Sequence, residues 1–409
     1  MSQLEVRVEP SAMGFDSSRL MRIKTHFDQY VFDRRLAGWH ATVSRGGELV
    51  WSGMGGHRDR ERGLPVTDDT IWRIYSMTKP VTSIAVMMLY EEGLFDLNDD
   101  AGRWIESLRE PRVWTGGSVE SPVTVASDGP VRIHHLLTHM SGLTYGFQNT
   151  HPVDAVYRAK GYDFGRSAGS DLANAVDDFC SSPLVFHPGT GWNYSESTSV
   201  LGRLVEIWSG QSLDVFFRER ILDPLGMHDT AWWCPPDKHD RLAMLYVPHN
   251  GSSFPYEELA SHALTPPRVL DGGGGLQSTA NDYNRFMAML LRGGELGGVR
   301  LVSNRTLDLM TQNHLPGDVD LDEYAVDSFS EVDYAGIGFG LGFSVVVDQR
   351  KNKSLVSEGS FAWGGAASTA FWVDPVEDLT VGFFTQLLPS GTYPIRRELQ
   401  QLVYQALVD

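Results

Sequence analysis

The chain contains little cysteine and an excess of negative charge. Its 409 residues include two cysteines, and 34 lysines and arginines stand against 52 aspartates and glutamates, for a formal net charge of −18. Cys180 and Cys234 are too few for a disulfide framework, and neither lies in a Cys-x-x-Cys pair or a Cys/His cluster. This charge would repel nucleic acid and anionic membranes, so neither is an expected partner. A small neutral molecule is the expected ligand.

Long apolar runs are also absent. No stretch of about 18 consecutive apolar residues occurs, and the amino terminus has no basic segment followed by an apolar one, as a secretory leader would. We therefore expect a cytoplasmic protein. With 42% hydrophobic and 21% charged residues, the composition is that of an ordinary globular protein with a large core.

The apolar pattern predicts strands near both ends of the chain and helices between them. Residues 15–32 have the spacing of an amphipathic helix, and residues 38–56 have the pattern of a β-hairpin. Strand-like segments lie within residues 334–386, and a final helix is predicted at 394–407. This order predicts an α+β fold with a ligand cleft between two lobes.

The two lobes can be assigned to parts of the chain. We expect one domain over residues 1–409, in which an α/β lobe is formed by about residues 10–72 and 270–409. A helical lobe, about residues 73–269, is inserted between them.

Three further segments have local predictions. Residues 112–130 are polar and glycine-rich, which predicts a surface loop. Residues 150–190 have a helical pattern broken by glycine and proline, which suits a lid or a wall of the substrate site. Residues 193–210 are predicted to form a helix.

A serine and a lysine stand three residues apart at the head of an apolar helix. In Ser-Met-Thr-Lys at 76–79, this spacing places the Ser76 hydroxyl and the Lys79 amine on one helix face. Pro80 fits the first turn of a helix, so the helix should begin near Ser76. The helix dipole there favours a developing alkoxide and disfavours protonated Lys79. The pair is a candidate nucleophile and base, although a capping serine and a solvated lysine would show the same short motif.

Four motifs follow one another in a characteristic order. They are Ser-Met-Thr-Lys at 76–79, His-Leu-Leu-Thr-His-Met-Ser-Gly-Leu at 135–143, Asn-Tyr-Ser-Glu-Ser at 193–197, and Phe-Ala-Trp-Gly-Gly-Ala-Ala-Ser-Thr at 361–369. In this order they resemble the serine β-lactamase and penicillin-binding-protein superfamily, closest to family VIII carboxylesterases and class C β-lactamases. The resemblance covers most of the chain. It implies a β-lactamase/transpeptidase-like fold with an antiparallel sheet flanked by terminal helices.

The resemblance also implies a division of labour among three residues. Ser76 would attack an acyl carbon and hold a covalent acyl-enzyme. Lys79 would take or polarise its proton, and Tyr194 would relay the proton to the leaving group and then activate water. Both bases are weak at their free pKa values, so we expect each pKa to be lowered by the other group and by the helix end. Which of the two is the base stays open. Without the order of the motifs, Tyr194 would be interpreted as an ordinary core tyrosine.

The last motif departs from the lactamase pattern. Where class C enzymes carry Lys-Thr-Gly-Ser on an edge strand, this chain has Trp363, Gly364, Gly365 and Ala366. By that match, the backbone N–H groups of Ala366 and Ser76 would form an oxyanion hole. The glycines would let the strand approach the substrate closely. Trp363 would offer an apolar wall in place of a cation that binds a carboxylate.

Two other positions bear on the substrate. Glu196 stands where the lactamase pattern Tyr-x-Asn has asparagine, and it would repel a carboxylate. Tyr75 is one of several aromatic residues available to line an apolar site. Together with the absence of the lysine, these positions favour a small-molecule ester as substrate, hydrolysed without a cofactor.

The alternatives are a β-lactamase or D-amino peptidase, and a non-catalytic binding protein. Whether the acyl group passes to water or to an alcohol stays open, as does the oligomeric state.

A second serine motif competes with Ser76. Gly-Arg-Ser-Ala-Gly at 165–169 matches the nucleophile elbow of α/β-hydrolases. An elbow requires a buried strand directly before it, and the preceding residues are polar and broken. We therefore expect Ser167 or Ser170 to cap a helix that begins at Asp171.

Two clusters suggest metal ions but lack the full patterns. His134, His135 and His139 are close in sequence, with no His-Glu-x-x-His motif or acid at ligand spacing. Three acidic residues at alternate positions resemble the start of a calcium-binding loop. The segment lacks the glycine and the final glutamate that such a loop requires. These acids are Asp318, Asp320 and Asp322. No metal site is expected.

Overall fold

An eight-stranded antiparallel sheet forms the centre of the protein. The computed structural model describes residues 4–163, 170–326 and 329–408. The strands are β1 Gly38–Arg45, β2 Glu48–Asp59, β3 Leu64–Pro65, β4 Ile71–Arg73, β5 Arg112–Gly117, β6 Pro122–Ala126, β7 Tyr246–His249, β8 Ser252–Pro255, β9 Gln277–Thr279, β10 Glu295–Leu296, β11 Val299–Arg300, β12 Ile337–Phe339, β13 Ser344–Val346, β14 Phe361–Gly364, β15 Ala370–Asp374 and β16 Leu379–Phe384. The central sheet has the order β12-β13-β14-β15-β16-β1-β2-β3.

The two ends of the chain meet in this sheet. Strand β1 pairs with β16 in antiparallel register, from His40 opposite Phe384 to Arg45 opposite Leu379. The predicted hairpin at 38–56 is confirmed as β1 and β2. Because the ends are paired in one sheet, the α+β arrangement with an antiparallel sheet is confirmed.

Helices surround the sheet. They are α1 Ser17–Phe32, α2 Thr78–Glu91, α3 Ile133–Leu137, α4 Pro152–Ala159, α5 Leu172–Cys180, α6 Ser197–Ser209, α7 Leu213–Phe217, α8 Asp223–Leu225, α9 Glu257–Ser261, α10 Ala280–Leu291, α11 Asn304–Met310, α12 Leu321–Tyr324, α13 Gln349–Asn352 and α14 Ile395–Tyr404. A π-helical segment, Arg218–Leu222, joins α7 to α8. Within the described ranges, no helix is long and apolar enough to cross a membrane.

Helices α1 and α10 cover opposite faces of the sheet. Phe383 packs on Phe27 of α1, with ring centroids 4.6 Å apart, whereas its neighbour Phe384 packs on Tyr283 of α10. Successive side chains in a strand point to opposite faces, so the two helices lie on opposite sides. The core therefore has two layers, one on each face of the sheet.

Helix α2 is the buried helix predicted after Ser76. Every residue from Thr78 to Leu89 is buried, and Pro80 lies in the first turn as expected. Helix α6 packs against it. Strands β4 and β9 pair with each other, and the mainly helical segment lies between them in sequence. We propose that the two lobes join near these strands.

Three local predictions were wrong. Residues 112–130 form the exposed hairpin of β5 and β6 instead of an irregular loop, because β-branched residues flank its polar turn and pair across it. Helix α6 begins at Ser197, four residues later than predicted. The cap of α5 is Asp171, whose side chain accepts the Asn174 N–H at 2.9 Å, so Ser170 is not the cap. Ser167 lies outside the described residues.

Candidate active site

Ser76 lies at the entrance to helix α2, in a short 3-10 turn, Tyr75–Met77. It is 9% exposed and lines a cavity of about 420 Å³. Tyr75, directly before it, has a φ of 43°, a left-handed conformation that non-glycine residues seldom adopt. Tyr75 also lines the cavity, and burial raises its pKa to about 12. The turn therefore holds the Ser76 hydroxyl at the cavity wall in a fixed backbone conformation.

Lys79 lies within hydrogen-bond distance of the Ser76 hydroxyl, as the helical spacing predicts. The distance from Lys79 Nζ to Ser76 Oγ is 3.2 Å, and Nζ also donates to the carbonyl oxygen of Gly273 at 2.5 Å. The side chain is buried and lies 4.6 Å from the ring centroid of Tyr194. The Gly273 carbonyl therefore fixes the amine beside the hydroxyl, a role for the glycine run at 272–275 that its sequence did not indicate.

Tyr194 completes the group of three. It is 1% exposed, and its hydroxyl accepts a hydrogen bond from Trp363 Nε1 at 3.3 Å. Burial raises the pKa of Tyr194 well above its ordinary value, whereas hydrogen bonds with Ser76 and Trp363 act in the opposite direction. The expected lowering of this pKa was wrong, because the phenolate loses more hydration in this apolar enclosure than its hydrogen bonds restore. Tyr194 is a neutral phenol at neutral pH.

Ala366 lies in the turn between β14 and β15 and lines the same cavity as Ser76. The Ser390 N–H donates to its carbonyl oxygen at 2.6 Å. A Cβ added at the neighbouring Gly365 would overlap the carbonyl oxygen of Ile74, two residues before Ser76. The turn is thus pressed against the Ser76 segment, which brings the two predicted oxyanion-hole residues to one cavity; their role as donors stays a prediction.

Trp363, Gly364 and Gly365 lie behind the cavity instead of in its wall. None of them is among the residues that line it in the described part of the chain. Trp363 is 2% exposed and supports Tyr194 through its indole N–H. The two glycines make room for protein groups, Arg396 and Ile74, and not for a substrate. Strand β14 is an internal strand of the sheet, although β13 pairs only with its first two residues.

Glu196 lines the cavity and is linked to a second carboxylate that was not predicted. Ser199 Oγ lies 2.6 Å from Glu196 Oε2 and 2.7 Å from Asp271 Oδ1. Asp271 also lines the cavity. The two residues are distant in sequence and meet only because α6 packs beside the glycine run, so no local pattern could have indicated this pair.

Aromatic side chains form part of the apolar wall. Besides Tyr75 and Tyr194, the cavity is lined by Tyr145, Phe147, Trp232 and Phe329. Of the predicted lid or wall at 150–190, Asp163 is the one described residue that lines the cavity. The described part of that segment contains helices α4 and α5.

The histidines and acids that were considered as metal ligands make hydrogen bonds with other protein groups. His134 Nε2 lies 3.1 Å from His314 Nδ1, and His139 Nδ1 lies 3.2 Å from Ser195 Oγ. Asp320 accepts hydrogen bonds from the Gly336 N–H and from Lys351. In the described ranges, no three His, Cys, Asp or Glu residues are gathered as metal ligands would be.

Comparisons with known proteins find relatives that match almost the whole chain. A model of the Beta-lactamase family matches residues 23–405. Esterase EstB of Burkholderia gladioli is 30% identical over 414 residues, which cover 97% of this chain and 98% of that protein. ML-236A carboxylate methylbutanoyltransferase mlcH of Penicillium citrinum is 26% identical over 426 residues, with coverage of 98% and 97%.

A solved structure shares the fold. It is described as EstCE1, a hydrolase with promiscuous acyltransferase activity, and it matches with a TM-score of 0.80 at 24% identity. The match covers 95% of this chain and 99% of that one. The predicted α+β fold class is confirmed.

Proposed function

Because the chain belongs to the Beta-lactamase family, we propose that it is a serine hydrolase that cleaves carboxylic esters through an acyl-enzyme on Ser76. Family membership confirms the resemblance predicted from the order of the motifs. The proposal is supported above all by Ser76 Oγ, which lies 3.2 Å from Lys79 Nζ at the wall of a cavity. The name of Esterase EstB supports a hydrolase that acts on esters.

In the first half-reaction, Ser76 Oγ bonds to the acyl carbon and its proton passes to the Lys79 amine. The N–H groups of Ser76 and Ala366 hydrogen-bond the oxyanion of the tetrahedral intermediate. When the bond to the leaving oxygen breaks, that oxygen takes the proton of Tyr194, and Lys79 returns a proton to the tyrosine. The raised pKa of Tyr194 suits a proton donor, which assigns the role of base to Lys79.

In the second half-reaction, water attacks the acyl carbon of the ester on Ser76. Its proton passes through Tyr194 to Lys79, and the departing Ser76 oxygen recovers a proton from Lys79. The carboxylic acid leaves, and all three side chains return to their starting states. One set of residues thus serves both halves.

The charges around the cavity favour neutral esters over substrates with a carboxylate. Glu196 and Asp271 both line it, and a substrate carboxylate beside them would be repelled. Arg73 also lines the cavity, but its guanidinium donates to the carbonyl oxygens of Ala243 and Ala260. Arg268 lies at the exposed rim. A β-lactamase or D-amino peptidase is therefore the weaker alternative. A non-catalytic binding protein is also disfavoured, because it would not need the Ser76–Lys79 contact.

Acyl transfer to an alcohol is a second candidate function. The relative mlcH is named as a methylbutanoyltransferase. An alcohol can replace water in the second half-reaction, and the same residues would take its proton. Partition of the acyl group between water and added alcohols, measured by product analysis, separates the two functions. A cytoplasmic location and the absence of nucleic-acid and membrane partners stay predictions.

A paired assay tests the proposal. Wild type and Ser76→Ala are compared on a short-chain p-nitrophenyl ester and on a chromogenic cephalosporin. We expect ester turnover that falls by about 10⁴-fold or more in Ser76→Ala, with little cephalosporin turnover. Comparable turnover of both substrates would favour the β-lactamase alternative. Ester hydrolysis that survives Ser76→Ala would refute the assignment.

A further inference from the structure

The turn that carries Ala366 is bound from the carboxy-terminal helix. We define residues 365–369 as the oxyanion turn. Arg396, in the first turn of α14, donates from Nη2 to the carbonyl oxygens of Gly365 at 3.2 Å and Thr369 at 3.0 Å. Its guanidinium occupies the space that a Cβ at Gly364 would need. Arg396 therefore contacts both ends of the oxyanion turn, and glycine at 364 is required for this contact.

A buried carboxylate fixes Arg396 in turn. Arg396 Nη2 lies 2.6 Å from Glu331 Oε2, and Nη1 donates to the Glu331 carbonyl oxygen. The Glu331 side chain is wholly buried. Glu331 Oε2 also accepts from Ser390 Oγ at 3.0 Å, and the Ser390 N–H is the group that donates to the Ala366 carbonyl. One carboxylate thus holds the two groups that hold the oxyanion turn.

We propose that Arg396 is a positioning residue for the reaction, and that together with Glu331 it sets the place of the Ala366 N–H in the oxyanion hole. This inference rests on the proposed function. Two consecutive glycines precede Ala366, and glycine restrains the backbone less than any other residue. Within the turn, the Gly365 N–H donates to the Thr369 carbonyl oxygen and the Ser368 N–H to the Gly365 carbonyl oxygen, both at 2.9 Å, and contacts from outside the turn fix the place of this hydrogen-bonded unit beside Ser76. Arg396 supplies two of them without reaching the cavity wall, since Ala366 and not Arg396 lines the cavity.

Removal of the arginine would also leave a charge behind. Burial is the largest cause of the raised pKa of Tyr194. The charge of Glu331 raises this pKa further, and the charge of Arg396 lowers it. A single Arg396 variant would therefore change both the turn and the electrostatics at Tyr194. Glu331 also lines the cavity; the double variant Glu331→Gln/Arg396→Gln removes both charges together, keeps a side chain of similar size at 331, and leaves Tyr194 without an unpaired neighbouring charge.

The neighbouring arginine on α14 is a matched control. Arg397 Nε lies 2.8 Å from Asp333 Oδ2, and its Nη2 donates to the Asn352 carbonyl oxygen at 2.8 Å. Arg397→Gln thus removes an ion pair and a carbonyl contact from the same helix without touching the oxyanion turn. Thermal unfolding of each variant checks that it is folded.

The experiment measures kcat, KM and inhibition by phenylboronic acid, whose adduct with a serine oxygen places a boronate oxygen in the oxyanion hole. For Arg396→Ala and the double variant we expect kcat to fall about 10²–10³-fold, the effect of losing one oxyanion donor. KM should change less than about threefold, and boronate affinity should fall in proportion to kcat/KM. Free guanidinium should restore part of the activity of Arg396→Ala. Arg397→Gln should stay within about twofold of wild type.

The result that overturns the inference is an Arg396→Ala enzyme that behaves like Arg397→Gln. A kcat loss without weaker boronate binding, and without guanidinium rescue, would equally reduce Arg396 to a structural residue. If Arg396→Ala does not fold, Arg396→Lys and the double variant undergo the same measurements. Ser76→Ala, assayed in parallel, separates the two proposals: if it stays active the proposed function fails, whereas if it is inactive only the claim for Arg396 is at stake.

Discussion

At the scale of single residues, Tyr194 is the group whose chemistry the structure changes most. Its phenol is enclosed by the rings of His139, Tyr145 and Trp363. In this enclosure its pKa lies well above the ordinary value, and the phenol stays protonated across neutral pH. Sequence alone identified the residue through a motif, but its surroundings depend on rings from two other segments, one that carries His139 and Tyr145 and one that carries Trp363. We therefore propose that Tyr194 donates a proton and that Lys79 accepts one.

Tyr194→Phe tests this assignment. It removes the hydroxyl and keeps the ring, so we expect kcat to fall about 10²–10⁴-fold, the range for loss of a general acid. Trp363→Phe is the control: it removes the indole N–H that donates to Tyr194, and part of the ring, but keeps an aromatic side chain beside the tyrosine. We expect the control to stay within about tenfold of wild type. Steady-state kinetics on one ester suffices, and a Tyr194→Phe enzyme within about threefold of wild type would contradict the account.

At the scale of elements, the central strand β1 carries a buried histidine. His40 is 0% exposed, and its Nε2 lies 3.0 Å from Ser52 Oγ of β2. Its Nδ1 has no hydrogen-bond partner among the described residues. Burial lowers the pKa of His40 to about 4. The unfolded chain therefore binds this proton at higher pH than the folded protein, and stability must fall as pH drops from about 6.5 to about 4.

His40→Gln removes this proton linkage. Between about pH 7 and pH 4.5, wild type should lose roughly 2–3 kcal/mol more of its free energy of unfolding than His40→Gln does. Urea unfolding at both pH values measures the difference. His249→Gln, at an exposed position, is the control and should lose as much stability as wild type. If His40→Gln and wild type lost the same stability on acidification, the pKa of His40 would be the same in the folded protein as in the unfolded chain.

The elements also show where sequence reasoning succeeds. The helix after Ser76 and the hairpin at 38–56 carry their own periodicity, so local pattern predicted both. The hairpin of β5 and β6 was missed because the segment is rich in polar residues and glycine, which are typical of a loop, whereas pairing across the turn is its main support. Helix α6 starts later than predicted, and before it the N–H groups of Asn193 and Glu196 donate to the carbonyl oxygens of His139 and Thr144. Pairing across a turn accounts for the first case, and contacts with a distant segment accompany the second.

At the scale of the whole molecule, the site is assembled from segments that are far apart in sequence. Ser76 and Lys79 were predictable because one helical turn joins them. The contact of Lys79 with Gly273 joins residues 194 apart, and that of Arg396 with Gly365 joins residues 31 apart. Strand β9, which follows the glycine run, pairs with β4 ahead of Ser76, and α14 contacts the turn between β14 and β15. Such contacts have no local sequence signal, and the motif order could place Tyr194 and Ala366 only through resemblance to a known superfamily.

The central claim is that catalysis passes through a covalent bond to Ser76. Rapid quenching of the enzyme during turnover of a p-nitrophenyl ester, followed by intact-mass and peptide mass spectrometry, tests it most directly. We expect a mass increase equal to one acyl group, located on the peptide that contains Ser76 and absent from Ser76→Ala. An acyl group found on another residue, such as Ser167, or turnover by Ser76→Ala at the wild-type rate, would contradict it.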